Sequence, residues 1–167
     1  MTAPRAPRPE SAPAGNREGD SASTTVPAAL RDAQQVAVRI ADDEAAADAE
    51  RQRLTHDELP HLPAEPAFSL RENEILHAVR ASALLEDRQS AIPQGGTLYL
   101  TSQRLIHAGQ APREVRLADI AETGVALERL LLVDLDDGSD LAIEVDQPRL
   151  LRVQLAAARA AARERAG

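Results

Sequence analysis

The stretch Gly95-Gly-Thr-Leu-Tyr-Leu-Thr-Ser-Gln-Arg-Leu-Ile-His-Ala-Gly109 constrains this chain more than any other. Two short apolar runs, Leu98 to Thr101 and Arg104 to Ala108, lie between glycines. Each is too short for a helix and carries β-formers, among them Thr97, Tyr99, Thr101 and Ile106. The pattern predicts a tight β-hairpin turning at Ser102-Gln103, without the Asn-Gly or Asp-Gly pair that such turns prefer. Gly95-Gly96 and Gly109 are read as its punctuation.

A second hairpin follows from Leu130 to Val145, and its register can be derived. If Asp136-Asp137-Gly138 is a three-residue loop with a left-handed glycine, Leu135 faces Ser139, Val133 faces Leu141 and Leu131 faces Ile143. Leu131, Val133, Leu135, Leu141, Ile143 and Val145 then share one face. A two-residue loop would set Leu135 against Asp140 and Leu131 against Glu144, mixing acids into that face.

The remaining strands are weaker: Glu74 to Ala81, Glu114 to Leu117 and Glu122 to Ala126, with a longer connection over 82–94. The chain ends in a helix, with Asp146 as its expected N-cap and Leu151, Leu155, Ala158 and Ala162 as its apolar face. Arg159, Arg163 and Arg165 complement the dipole in its last turns. These elements describe a small antiparallel β domain closed by a helix, over residues 68–167.

The preceding residues divide in three. Residues 1–26, rich in Pro, Ala, Ser and Thr, read as a disordered leader. Residues 27–58 read as an Ala-rich, acidic helix with a thin stripe of Leu30, Ala33, Ala37, Ile40 and Ala41. It is either a solvated helix outside the core or one that docks its Leu30, Val36 and Ile40 side on a partner. Residues 59–67, with Pro60, Pro63 and Pro66, read as an extended linker. On this division 68–167 should fold without what precedes it.

The formal charge is −8, and neither part of the chain is basic. Clustered positive charge for nucleic acid or anionic lipid is therefore missing. Tyr99 and Phe68 are the sole aromatics, too few for base stacking. Without cysteine there is no disulfide and no thiolate metal site. No secretory signal or membrane-spanning run is evident, so a cytoplasmic location is expected. All basic residues are Arg, and Ala is abundant, a habit of GC-rich bacterial genomes.

Gly96-x-Leu98-Tyr99-Leu100-Thr101-x-x-Arg104-Leu105-Ile106 resembles the signature hairpin of GRAM and bacterial PH-like domains. Val115-x-Leu117-x-Asp119-Ile120 is similar to the family's next strand and turn, and Asp137-Gly138 to its last hairpin. His107 departs from it, standing where the family usually has an aromatic. The resemblance covers about residues 68–165. It implies a mainly β fold with a C-terminal α-helix, in which about seven antiparallel strands form a partly open barrel.

The family is mostly a binding scaffold for lipids or protein segments. Its phosphoinositide binders carry basic residues around the first two strands, where this chain has Arg80 and Arg88 alone, with Glu86 and Asp87 beside them. The expected function is non-enzymatic: binding of a protein partner, or self-association. The alternative is peripheral membrane contact through the 82–95 connection, with Leu84, Leu85, Ile92, Arg80 and Arg88 as contact residues. No catalytic, cofactor or metal residues are assigned. His56 and His61 lie in or beside the Pro-rich stretch, and the strand residues His77 and His107 have no partners in the sequence pattern.

Overall fold

A computed structural model describes residues 28–85 and 92–166. Helix α1 is Ala28–Arg53. The strands are β1 Leu76–Leu85, β2 Gln94–Thr101, β3 Arg104–Gly109, β4 Arg113–Arg116, β5 Ile120–Ala126, β6 Leu130–Leu135 and β7 Asp140–Val145. Helix α2, Pro148–Ala166, ends the chain, and a short 3-10 turn, Leu117–Asp119, joins β4 to β5.

The seven strands form one open antiparallel sheet in the order β4-β3-β2-β1-β7-β6-β5. This is the mainly β, PH-like architecture that the hairpin resemblance implies. β1 joins the two halves: Leu76 to Leu84 pair with β2, with an irregularity between Leu76 and Ala78, and Ser82 to Leu85 pair with Val145 to Ala142 of β7. Both halves and α2 supply one core, including Leu84, Leu98, Leu105, Leu131, Ile143 and Leu155. Each such Leu or Ile contributes about 1.5–3 kcal/mol by leaving water.

β1 thus starts two residues later than the sequence pattern suggested and runs four residues further. The apolar pair Leu84-Leu85 continues the strand because both edges find partners there. Gly95-Gly96 likewise belongs to β2. At Gly96 the missing side chain is required: a Cβ would lie 2.4 Å from the Ala108 carbonyl oxygen and 2.7 Å from His107 Nε2.

The β2–β3 turn falls at Ser102-Gln103, held by side chains rather than by turn-forming residues. The Thr101 hydroxyl accepts from the N–H of Gln103 at 3.2 Å and of Arg104 at 2.9 Å. Ser102 Oγ accepts from the Ile75 N–H at 3.0 Å. The β6–β7 register is the derived one: Leu131 faces Ile143, Val133 faces Leu141, and Gly138 has φ +83°.

Helix α2 buries Leu151, Leu155 and Ala158, as the periodicity predicts. Its cap is different. Asp146 is exposed and pairs with Arg129 at 2.9 Å. The N–H groups of Arg149 and Leu150 instead donate to the Asp43 carboxylate of α1, at 2.9 and 3.0 Å. Helix α1 is therefore not a detached, solvated element: its acidic half packs on α2, with Asp43 and Ala47 buried.

The Pro-rich stretch lies against the β domain instead of hanging free. Leu59 packs on the core, the Leu62 N–H donates to the Leu76 carbonyl at 2.8 Å, and His77 Nδ1 lies 2.8 Å from the Pro60 carbonyl. Composition did not report these attachments.

Candidate binding surfaces

Residues 66–75 cross the outer face of β2 and β3 as a strap, fastened by one buried network. Glu74 receives Arg104 Nε at 2.7 Å on Oε1 and Arg104 Nη2 at 2.9 Å on Oε2. The Thr101 hydroxyl lies 2.6 Å from Glu74 Oε1, and the Arg71 N–H 2.7 Å from Oε2. Arg104 also donates to Glu114 at 2.6 Å and to the Ser69 carbonyl at 3.0 Å. The Glu74 side chain is 0% exposed and that of Arg104 8%.

Burial alone pushes the Glu74 carboxyl up. The hydrogen bonds from Arg104, the Arg71 N–H and Thr101 together outweigh it, so Glu74 titrates below the usual glutamate value. The hydrogen bond to Glu74 raises Arg104 in turn. Arg104 also sits 5.3 Å from the centre of the Phe68 ring, which meets Tyr99 edge-on at 5.0 Å. Both aromatic residues of the chain thus serve to seat the strap.

Beside the strap, over the outer face of β3 and β4, runs a groove of about 450 Å³. Ile106, Ala108 and Gly109 of β3 line it together with Ala67, Phe68 and Pro112, and the charged Arg104, Arg113 and Glu114 complete the lining. The lining is mostly apolar, and β4 ends the sheet on this side. The sequence reading assigned none of these residues to a site. Alternation on β3 was the available signal, since Arg104, Ile106 and Ala108 share the face opposite Leu105 and His107.

The contact residues expected on the 82–95 connection fall in different settings. Leu84 is 0% exposed and belongs to the core, so it cannot reach a membrane or partner. Leu85 is half-buried in β1. Arg80 is half-buried and donates to its neighbour's carbonyl at Val79, at 3.2 Å. Ile92 alone stands out, 76% exposed. Arg88 lies outside the described residues, as does the leader over 1–26.

His107 points into the barrel among Leu84, Leu98 and Leu105, 2% exposed, in the space that Gly96 leaves open. Burial holds its pKa below the ordinary histidine value, against a smaller opposing pull from the Ala111 backbone. His77 is lowered by burial too, with the Pro60 carbonyl opposing and Arg165 and His61 reinforcing. Among the described residues no group of three or more His, Asp and Glu side chains is arranged to hold a metal ion. No helix among them is long and apolar enough to cross a membrane.

No protein-family model matches the chain, and no curated protein matches it. Among solved structures it is similar to the C-terminal domain of an unknown protein from Leishmania infantum, at 15% identity over 51% of this chain and 87% of that one, TM-score 0.43. It is also similar to the N-terminal PH domain of human ARAP2, at 8% identity over 60% of this chain and 88% of that one, TM-score 0.43. Overlays this loose bear on neither ligand nor partner.

Proposed function

We propose that this chain is a PH-like protein-binding module of the GRAM and bacterial branch, whose groove beside β4 receives an extended apolar segment of a partner protein. The observation that carries the reading is the groove itself, built on a fixed lining. Ile106 and Ala108 are set by β-sheet pairing, and Phe68 is held by the Glu74–Arg104 pair. A preformed apolar cleft binds without the cost of ordering its own walls. Next to it, the end strand β4 offers a backbone edge of the kind that pairs with an added strand. The formal charge of −8 favours a partner segment that is neutral or basic over an anionic surface.

The test is selection from a displayed peptide library on the full chain, counter-screened with Ala108→Trp, which fills the groove. The reading expects peptides with apolar residues at alternate positions, bound at least about tenfold more weakly by the variant. Circular dichroism of the variant should be unchanged. Failure to enrich any peptide, or equal binding to both proteins, rejects the reading.

A second reading, peripheral membrane contact, is favoured by the exposure of Ile92. It now rests on Ile92 and Leu85 without Leu84. Flotation with neutral and anionic vesicles tests it: salt-resistant binding lost in Ile92→Asp would support it, and no flotation would remove it.

A further inference from the structure

Helix α1 has a second face that no described residue covers. Its inner side, with Val36, Ile40, Asp43 and Ala47, is wholly or partly buried. On the opposite side Leu30, Gln34, Ala37, Val38, Ala41 and Ala45 are all exposed, Leu30 at 50% and Val38 at 58%. The positions follow a spacing of three and four residues, so they form one stripe.

The charges beside this stripe say what covers it. Arg39 pairs with Glu128, Asp43 and Glu44 with Arg149, Asp48 with Arg51, and Glu50 with Arg53. Among the described residues Arg31, Asp32 and Asp42 have no such partner; Asp32 points away from the stripe, and Arg31 and Asp42 lie on the same flank of it. Eleven residues of helix separate them by about 16 Å, too far to pair within one copy.

From this we infer that the outer face of α1 takes a second copy of the chain, helix against helix and antiparallel, centred near Ala37. In that register Arg31 of each copy reaches Asp42 of the other, and the two ion pairs are related by the dimer axis. The two Val38 side chains approach one another at the centre, and Leu30 lies against Ala41 and Ala45. A parallel two-fold pair would put the flanks carrying Arg31 and Asp42 on opposite sides of the seam and leave both unpaired. The contact is small, at the low end of specific interfaces, so the dimer is weak and concentration-dependent. This inference is independent of the groove.

Sedimentation velocity of the full chain from about 10 to about 500 µM tests it, a range suited to so small an interface. The wild type should shift toward dimer across the range, while Val38→Glu stays monomeric with unchanged circular dichroism. Arg31→Asp should weaken the dimer about fivefold or more, and Arg31→Asp with Asp42→Arg should restore it. Ala108→Trp should dimerise like the wild type. A wild type that is monomeric throughout overturns the proposal. So does a dimer indifferent to Val38→Glu, or one that the charge swap fails to restore.

Discussion

Asp43 and Leu150 stand 107 residues apart, and the carboxylate of one accepts the backbone N–H of the other at 3.0 Å. The second Asp43 oxygen takes the Arg149 N–H at 2.9 Å. The first turn of α2 is thus capped by a residue of α1, which fastens the N-terminal helix to the β domain. Replacing Asp43 with Ala should cost about 1–2 kcal/mol, the worth of a strong N-cap. Asp43→Asn should recover part of it. Urea unfolding of the three proteins measures both effects, and equal midpoints would show that the cap adds nothing.

The attachment extends to chain length. A protein beginning at residue 68 lacks the Asp43 cap, the Leu59 packing and the Leu62–Leu76 hydrogen bond. It should unfold at clearly lower denaturant than one beginning at residue 28. Coincident transitions would mean that residues 28–67 add no stability to the β domain.

The Glu74–Arg104 pair is buried, and losing Arg104 leaves the Glu74 carboxylate without a counter-charge. Arg104→Ala should destabilise by about 3–5 kcal/mol, and Glu74→Ala by less, because Arg104 keeps Glu114. Glu74 is lowered in the folded state, so its contribution is complete above the ordinary glutamate pKa of 4.5 and fades as pH falls through the lower folded value. Unfolding midpoints across acid pH should show that loss in the wild type and a flatter limb in Glu74→Gln. Parallel curves would contradict the assignment.

His107 and His77 are lowered as well, so both are neutral in the fold at a pH where the unfolded chain begins to bind protons. The sign is the same: stability is complete above the ordinary value of 6.5 and falls as pH drops below it. The wild type should therefore begin to lose stability near neutrality, before its carboxylates titrate. His107→Leu should reduce that early slope, measured by thermal unfolding between about pH 7 and pH 5. An unchanged slope would mean that His107 binds protons equally in the folded and unfolded chain, and would contradict the assignment.

Gly96→Ala places a methyl 2.4 Å from the Ala108 carbonyl and 2.7 Å from the His107 ring. The backbone contact cannot relax without shifting β3, so a cost of about 1–3 kcal/mol is expected. Gly95→Ala, where a Cβ meets nothing within 4 Å, is the control and should be close to neutral. Equal midpoints for the two variants would show that the close approach at Gly96 adds no cost.

What the sequence made legible were features specified by neighbours in the chain. Alternation from Leu130 to Val145 with Gly138 at the bend determined a register, and the spacing of Leu151, Leu155 and Ala158 determined a buried face. Features set by distant partners were not legible. Asp43 looks like any acid on a solvated helix, because its partners are backbone N–H groups of another element. Leu84 looked like a loop residue until β7 and β2 paired on either side of it. The groove escaped for a related reason: Phe68, Ile106 and Pro112 converge only once the strap has crossed the sheet.

The most direct test of the binding reading is a ¹H–¹⁵N shift map of the labelled full chain, titrated with a selected peptide. The groove account predicts that perturbations concentrate on Phe68, Ile106, Ala108, Gly109 and Glu114, and vanish in Ala108→Trp. Perturbations gathered instead around Leu85 and Ile92, with the β3–β4 resonances unmoved, would contradict it and move the binding site to the 82–95 connection.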